Sequence, residues 1–162
     1  MVYHYIFGYG SLINENSWRK TLPKVMSKIP VRVSKKFRYV REWNYRGKKS
    51  TYLGLRKLNK YERGSTINGV LYSIDESNIK LFDQREEKYK RISIPHHMIK
   101  IISNNKILKD SIVWTYVPLS KNRKYPTSKY PILPEYFNIV MMGCLEQSNK
   151  FANEFLATTF MW

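Results

Sequence analysis

The sequence predicts an α+β fold with a curled sheet, in a single domain that spans residues 1–162. Short segments rich in β-branched and aromatic residues recur between residues 3 and 118, as is typical of strands, and one helical pattern interrupts them. The last segment, residues 134–162, is helical in pattern. No internal repeat or linker divides the chain, and 43% of its residues are hydrophobic, which is enough for one core.

The first predicted strand covers residues 3–7 and runs directly into the turn Gly8-Tyr9-Gly10-Ser11-Leu12. Glycine suits tight turns because it lacks a Cβ and accepts backbone angles that other residues avoid. Successive main-chain N–H groups in such a turn can converge on an anion. The turn is therefore a candidate site for a carboxylate or a phosphate, and a plain steric turn is the other interpretation.

Several further elements are predicted before residue 88. Residues 14–20 favour a short helical turn, and alternating patterns predict strands within residues 29–43, at 51–56 and at 67–74. A helix is expected over residues 75–87. Its first turn can be capped by Asp75 or Ser77, and Ile79 and Phe82 fall on one face of it.

After residue 88 the sequence predicts a strand at 89–94, a hairpin and the terminal helical region. The hairpin would join residues 99–102 to residues 107–118 across two consecutive asparagines. In the terminal region, we expect Gly143 or the Ser148-Asn149 pair to bend or split the helix. One apolar stripe along it would consist of Phe137, Val140, Met141, Cys144 and Leu145.

The charge of the chain is strongly unbalanced, with 29 Lys and Arg residues against 12 Asp and Glu residues, a formal net charge of +17. Basic residues cluster at 35–36, 46–49, 88–91 and 121–124, between core-like strands rather than in a tail. Such a charge attracts polyanions through contacts with phosphates. It is equally compatible with a solvated basic surface, so charge leaves both interpretations open.

Composition excludes disorder and membrane insertion. Disorder requires low hydrophobicity, whereas this chain has 13 Tyr, 7 Phe and 4 Trp. No apolar run approaches the roughly 18 residues of a membrane-spanning helix, and the first residues lack the segments of a secretion signal. The single Cys144 has no partner for an internal disulfide. These observations predict a cytoplasmic protein with no membrane partner.

A second candidate feature is the segment FDQREEKY, residues 82–89, where the predicted helix meets the next strand. A carboxylate at this junction, packed between Phe82 and Tyr89, would be desolvated. Desolvation would raise its pKa toward values that are useful for proton transfer. A solvated, salt-bridged helix end is the other interpretation, and spacing alone does not decide between them.

Together the two features resemble the γ-glutamylcyclotransferase superfamily. Its members have a first strand that ends in a YGSL-type turn, which residues 9–12 match. Later they have a helix that closes with an L-D-x-R-E…Y pattern, which residues 82–89 match with Phe82 in place of Leu. The strand at residues 68–72 before that helix is also similar. The Arg-Glu form of the second motif is most similar to the ChaC-type branch.

The resemblance implies a small mixed β-barrel with flanking helices, and a cofactor-free enzyme that acts on a small γ-glutamyl substrate. In such enzymes the α-amine of the γ-glutamyl group attacks its own side-chain amide carbonyl, which releases 5-oxoproline and an amine or peptide. Glutathione, a γ-glutamyl dipeptide and a γ-glutamyl amine are all open as substrates. The oligomeric state is open as well.

The resemblance also implies roles for particular residues. Glu86 would act as the general acid and base, since the register of the motif selects it over Glu87. Main-chain N–H groups of the glycine turn would bind the substrate α-carboxylate, and two tyrosines would donate hydrogen bonds. The implied substrate-binding residues are Tyr9, Gly10, Ser11, Leu12, Tyr89 and Tyr116.

Two alternative functions follow from the same sequence. One is a basic module that binds polyanions or nucleic acid, with Trp43, Tyr45, Tyr61 and Tyr125 stacking on bases. The other is a catalytically silent interaction protein with the same fold.

Other reactive residues suggest no further chemistry. We predict no metal site, because His96 and His97 are adjacent and would point to opposite faces of an extended strand. Ser11 lacks the surrounding motif of a known serine nucleophile. Cys144 is expected to be a buried small residue rather than a reactive thiol.

Overall fold

The computed structural model describes residues 2–107 and 109–162, which form two sheets and four α-helices. This arrangement confirms the predicted α+β class. The strands are β1 (Tyr3–Gly8), β2 (Lys28–Val33), β3 (Tyr39–Arg46), β4 (Thr51–Lys57), β5 (Ile67–Ile74), β6 (Tyr89–Ile94), β7 (Ile99–Ile101), β8 (Ser111–Pro118) and β9 (Thr159–Phe160). The helices are α1 (Glu15–Arg19), α2 (Ile79–Arg85), α3 (Pro134–Gln147) and α4 (Asn149–Ala157).

The larger sheet has six strands in the order β6-β8-β1-β5-β2-β7, and the smaller has three in the order β4-β3-β9. In the larger sheet β1 pairs in parallel with β8 and antiparallel with β5. The described residues thus form two open sheets in which no closed barrel is found. Because β1 is internal to its sheet and almost wholly buried, the turn at its end lies inside the molecule.

The predicted hairpin between residues 99–102 and 107–118 is wrong. The first arm, β7, pairs with β2, while β8 pairs with β1 and β6. Leu108, within the predicted second arm, lies outside the described residues. The asparagine pair indicates only that the chain reverses. Packing between residues distant in sequence determines which strand β8 pairs with. Val113 and Thr115 of β8 are buried, so β8 lies in the interior of the sheet.

Helix α2 is shorter than predicted. It is preceded by a 3₁₀ turn at Glu76–Asn78, and neither Asp75 nor Ser77 supplies the expected side-chain cap. The predicted apolar face is confirmed, since Ile79 and Phe82 are buried. The ring of Trp18 packs 4.3 Å from that of Phe82, which anchors the last turn of α2.

The terminal helices divide where the sequence predicted. The hydroxyl of Ser148 accepts a hydrogen bond from the Phe151 N–H at 2.9 Å and caps α4. Gly143 does not split α3; instead it allows close approach, because a Cβ there would lie 2.6 Å from the Asn14 nitrogen. On the predicted stripe Val140 and Cys144 are buried, but Leu145 is 52% exposed and was wrongly placed. No helix in the described part of the chain has the length and apolar character needed to cross a membrane.

Arg41, at 0% exposure, is a cation in the core. Its guanidinium donates to the Tyr9 carbonyl (3.1 Å), to the Asn68 carbonyl and side-chain oxygens (both 2.7 Å) and to Thr159 Oγ1 (2.8 Å). It also lies 4.0 Å from the centre of the Phe155 ring. Burial lowers the pKa of Arg41 to about 9, so the group is charged at neutral pH. Four segments distant in sequence therefore meet on one side chain.

Substituting Arg41→Met removes the guanidinium but keeps the apolar stem. Because buried acceptors on Tyr9 and Asn68 would lose their donors, we expect the free energy of unfolding to fall by about 3–5 kcal/mol. Urea unfolding measures this loss. Arg19→Met is the matched control: the Arg19 side chain is 48% exposed in its ion pair with Glu15, and its loss should cost about 1 kcal/mol or less. Equal losses in the two variants would contradict this assignment.

Candidate active site

A pocket of about 360 Å³ lies where the end of β1, the C-terminal end of α2, β4 and the first turn of α3 meet. It brings together every site residue implied by the sequence, although the two motifs are far apart in the chain. Its lining consists of Phe7, Gly8, Tyr9, Gly10, Ser11, Leu12, Leu53, Glu86, Tyr89, Tyr116 and Tyr136.

One wall of the pocket is the glycine turn. No glycine in the described ranges has a positive φ, but Gly10, at φ −130° and ψ −125°, has backbone angles outside the common helical and extended regions. A 3₁₀ helix follows at Ser11–Ile13, and the N–H groups of its first residues have no acceptor within the helix. A Cβ at Gly10 would lie 3.2 Å from the Tyr136 hydroxyl, which would have to move by a few tenths of an ångström. The turn therefore presents main-chain donors beside a tyrosine hydroxyl.

Glu86 also lines the pocket, immediately after α2. Its N–H donates to the Phe82 carbonyl at 2.9 Å, and its own carbonyl accepts from the Tyr89 N–H at 2.8 Å, so its backbone is held at both sides. The Glu86 side chain is only 18% exposed. Burial raises the pKa of this carboxyl above its usual value, while the nearby Arg85 opposes the shift. A carboxyl group with a raised pKa is suited to accepting and returning protons.

Arg85 is a structural residue as well as a neighbour of the carboxylate. Its Nε lies 3.3 Å from a Glu86 carboxylate oxygen. Its Nη1 donates to the Ser17 carbonyl at 2.6 Å and to Thr21 Oγ1 at 2.9 Å. The guanidinium is thus fixed by the end of α1, and it holds the end of α2 in place. Glu87, the next carboxylate, is exposed.

Tyrosine hydroxyls surround the pocket, and three of them are engaged with protein acceptors. Tyr9 donates to the Tyr116 carbonyl at 2.7 Å, Tyr116 to a carboxylate oxygen of Asp83 at 2.8 Å, and Tyr89 to the Leu53 carbonyl at 3.1 Å. Burial raises the pKa of Tyr9 and of Tyr89 well above the usual value, with proximity of Glu86 adding to both shifts. These phenols are therefore neutral hydrogen-bond donors at physiological pH.

Sequence reasoning did not assign two residues that line the pocket, Tyr136 and Leu53. Burial raises the pKa of Tyr136 to about 12, and hydrogen bonds with Ser11 oppose the shift. Tyr136 lies in the predicted helical region 134–162, but its position in the sequence does not show that its ring enters the site. Leu53 lines the pocket because β4 packs close to it. No sequence pattern predicts this contact.

A wider groove of about 700 Å³ adjoins the pocket. The two cavities share Ser11, Glu86, Tyr89 and Tyr136. The groove adds the rings of Tyr45 and Tyr52, whose centroids are 6.1 Å apart, and the charged residues Arg85, Glu87 and Lys88. The Glu86 carboxylate therefore stands at the junction of a small pocket and an open groove.

The remaining reactive residues lie away from this site. Cys144 is fully buried, as predicted, and burial raises the pKa of its thiol to about 12. In residues 2–107 and 109–162 no three His, Cys, Asp or Glu side chains are grouped so that they could hold a metal ion.

With this geometry in view, we compared the chain with known proteins. The family model described as "Gamma-glutamyl cyclotransferase, AIG2-like" matches residues 6–134. The chain belongs to this family. The match spans most of the chain and includes both the glycine turn and Glu86. No curated protein sequence matches the chain.

Solved structures show the same fold. A protein titled "Gamma-glutamyl cyclotransferase" superposes with a TM-score of 0.67 at 15% identity, over 95% of this chain and 86% of that one. A yeast γ-glutamyl cyclotransferase described as specific to glutathione gives 0.59 at 13% identity, over 96% and 97%. YkqA from Bacillus subtilis gives 0.68 at 18% identity, over 96% of this chain, which spans only 53% of that protein. The similarity to the ChaC-type branch stays a prediction.

The buried carboxyl predicts a pH-dependent effect on stability. Because the pKa of Glu86 is higher in the folded state, its contribution to stability is fully present below the unfolded pKa of about 4.3 and is lost as the pH rises through the folded value. Glu86→Gln has no such loss. We expect the variant to be more stable than the parent at pH 7.5, by a margin that shrinks toward pH 4. Urea unfolding at both pH values measures the difference in the free energy of unfolding between the variant and the parent. The same difference at both pH values would contradict the raised pKa.

Proposed function

We propose that this chain catalyses the cyclisation of a γ-glutamyl group to 5-oxoproline, with release of an amine and without a cofactor. One observation carries the proposal. A single pocket is lined both by the glycine turn, whose main-chain donors can bind a carboxylate, and by the buried Glu86 carboxyl, whose pKa is raised. Membership of the γ-glutamyl cyclotransferase family supports the same reaction.

The substrate would bind by its α-carboxylate at the N–H groups of Ser11 and Leu12, at the start of the 3₁₀ helix. With its α-carboxylate at the glycine turn and its α-amine at Glu86, both of which line this pocket, the glutamyl chain would be folded back on itself. Folding brings the α-nitrogen close to the γ-carbonyl carbon before reaction, which removes much of the entropic barrier to ring closure. We propose that the neutral hydroxyls of Tyr89 and Tyr116 donate to the substrate by turning away from their present acceptors, the Leu53 carbonyl and the Asp83 carboxylate.

Glu86 would supply the proton transfers. The α-ammonium group is not a nucleophile, so the Glu86 carboxylate first accepts its proton. The freed amine attacks the γ-carbonyl carbon and forms the new C–N bond of the five-membered ring. As the bond to the leaving nitrogen breaks, Glu86 returns this proton to that nitrogen. The Glu86 carboxylate then accepts the second proton, which the ring nitrogen loses, and passes it to the released amine, which departs as an ammonium ion. Both reacting groups belong to the substrate and one carboxyl group serves both steps, so the reaction needs no cofactor.

The leaving amine would extend into the wider groove. That groove is open and carries the rings of Tyr45 and Tyr52, and charged side chains of both signs. Glutathione, γ-glutamyl dipeptides and γ-glutamyl amines all share the glutamyl part and differ in the part that lies there. We propose a cytoplasmic setting, in keeping with a lone, buried cysteine.

The test is 5-oxoproline release from a panel of glutathione, γ-glutamyl dipeptides and γ-glutamyl-lysine. Glu86→Gln should fold normally and lose about 10²-fold to 10⁴-fold in turnover, because an amide cannot relay the proton. The matched control is Glu76→Gln, at an exposed carboxylate that lines neither the pocket nor the groove, which should retain turnover. Turnover by the parent that persists in Glu86→Gln would overturn the role of Glu86. No product from any panel member would favour a catalytically silent relative.

The pH profile provides a second test of the same role. Since Glu86 must be ionised to accept the proton, kcat/KM should fall as the pH drops through its raised pKa. The inflection should lie above the ordinary Glu value of about 4.3. Arg85 lowers the pKa of Glu86, so Arg85→Met should move the inflection to higher pH. A profile that Arg85→Met leaves unmoved would contradict the assignment of the inflection to Glu86.

A further inference from the structure

A second groove lies away from the candidate active site, where the connection between β2 and β3 meets the loop between β4 and β5. We call it the basic groove. It has a volume of about 880 Å³ and is lined by Lys35, Lys36, Arg38, Arg63 and Gly64. It shares no lining residue with the pocket around Glu86, so its function does not depend on the proposed reaction.

The two segments that form the basic groove are held together by backbone contacts. The Leu58 N–H donates to the Arg38 carbonyl at 2.8 Å. The Arg38 guanidinium donates in turn to the carbonyls of Asn59 (2.7 Å) and Glu62 (2.9 Å). The chains approach so closely at Gly64 that a Cβ there would lie 2.7 Å from the Lys35 carbonyl oxygen. The cations are therefore displayed on a fixed scaffold.

The positive charge of this face is left uncompensated. Four of the five residues that line the groove are Lys or Arg and none is Asp or Glu, and the two carboxylates within residues 35–64 are Glu42 and Glu62. Both carboxylates are paired with one guanidinium, that of Arg56, at 3.0 and 2.7 Å. This pairing lowers the pKa of Glu62 to about 2. In the described part of the chain, no ion pair involves Lys35, Lys36 or Arg63.

An exposed aromatic ring lies on the same loop as Arg63. Tyr61, on the same β4–β5 loop, is 84% exposed, and its ring centre lies 4.9 Å from the Lys60 ammonium. Its backbone N–H is fixed by the Asn59 side-chain oxygen at 2.9 Å. Two other aromatics considered from the sequence are unsuited to stacking: Trp43 is fully buried, and Tyr45 packs 4.7 Å from the Tyr89 ring at the candidate active site.

We propose that the basic groove and Tyr61 bind single-stranded nucleic acid. Phosphates would lie along Lys35, Lys36 and Arg63, and a base would stack on Tyr61. Cations that follow a groove together with an exposed aromatic ring are the combination that single strands require. A lipid surface fits less well. It is flat and favours protruding apolar side chains, whereas Tyr61 is the only exposed large hydrophobic residue described between positions 35 and 64.

The experiment is fluorescence anisotropy with a labelled 12-nucleotide oligothymidylate, and with the matching oligouridylate, at 50 and 200 mM NaCl. The double variant Lys35→Glu with Arg63→Glu reverses two exposed cations of the groove. Lys24→Glu with Lys80→Glu reverses two exposed cations elsewhere and gives the same net charge. We expect the groove variant to weaken binding at least about tenfold and to reduce the salt dependence, and the control to weaken it less than about threefold. Tyr61→Ala should weaken binding without changing the salt dependence.

Several outcomes would overturn the proposal. Equal weakening in the two double variants would mean that net charge, not the groove, attracts the oligonucleotide. Sedimentation of the protein with vesicles of phosphatidylcholine and phosphatidylserine, without oligonucleotide binding, would assign the groove to a lipid surface. Circular dichroism and 5-oxoproline release, which the groove variants should leave unchanged, show that the fold is intact. Binding unaffected by Lys35→Glu with Arg63→Glu in a folded protein would exclude this site.

Discussion

The buried guanidinium of Arg41 is the interaction on which the rest of the structure depends. A charged group in a core must find acceptors for its donors, and Arg41 finds them on the glycine turn at Tyr9, on β5 at Asn68 and near the C-terminal end at Thr159. The position of the turn, and so of the N–H groups proposed to bind substrate, is thus linked to segments at the far end of the chain. The short β9 is held at β3 by the same residue.

The chemistry of the candidate active site is a consequence of packing. Glu86 directly follows a helix whose last turn is fixed by Trp18 on Phe82 and by Arg85 on Ser17. The walls around it withdraw its carboxyl group from water, and this desolvation outweighs the nearby positive charge of Arg85. The raised pKa therefore depends on the assembled pocket. In an isolated peptide of residues 82–89, the carboxyl group of Glu86 would have the ordinary pKa of a glutamate.

Local patterns predicted most elements but not how the strands are arranged. The 3–7 strand, the buried face of Ile79 and Phe82 and the break at Ser148 followed from spacing and capping chemistry, because each depends on neighbours in sequence. The pairing of β8 with β1 instead of β7, and two sheets in place of a closed barrel, did not. Strand pairing depends on packing between residues that are far apart in the chain. The local sequence pattern contains no information about that packing.

The sequence by itself determined the α+β class, the family motifs and the two segments that line one pocket, because these are written in contiguous residues. Only the tertiary structure decided that Tyr136 and Leu53 join that pocket, that Trp43 is buried while Tyr61 is exposed, and that Arg56 forms ion pairs with both Glu42 and Glu62. Each of these depends on distances between residues far apart in the chain. Burial and ion pairing depend on the folded structure. Composition gives only the total numbers of apolar and charged residues.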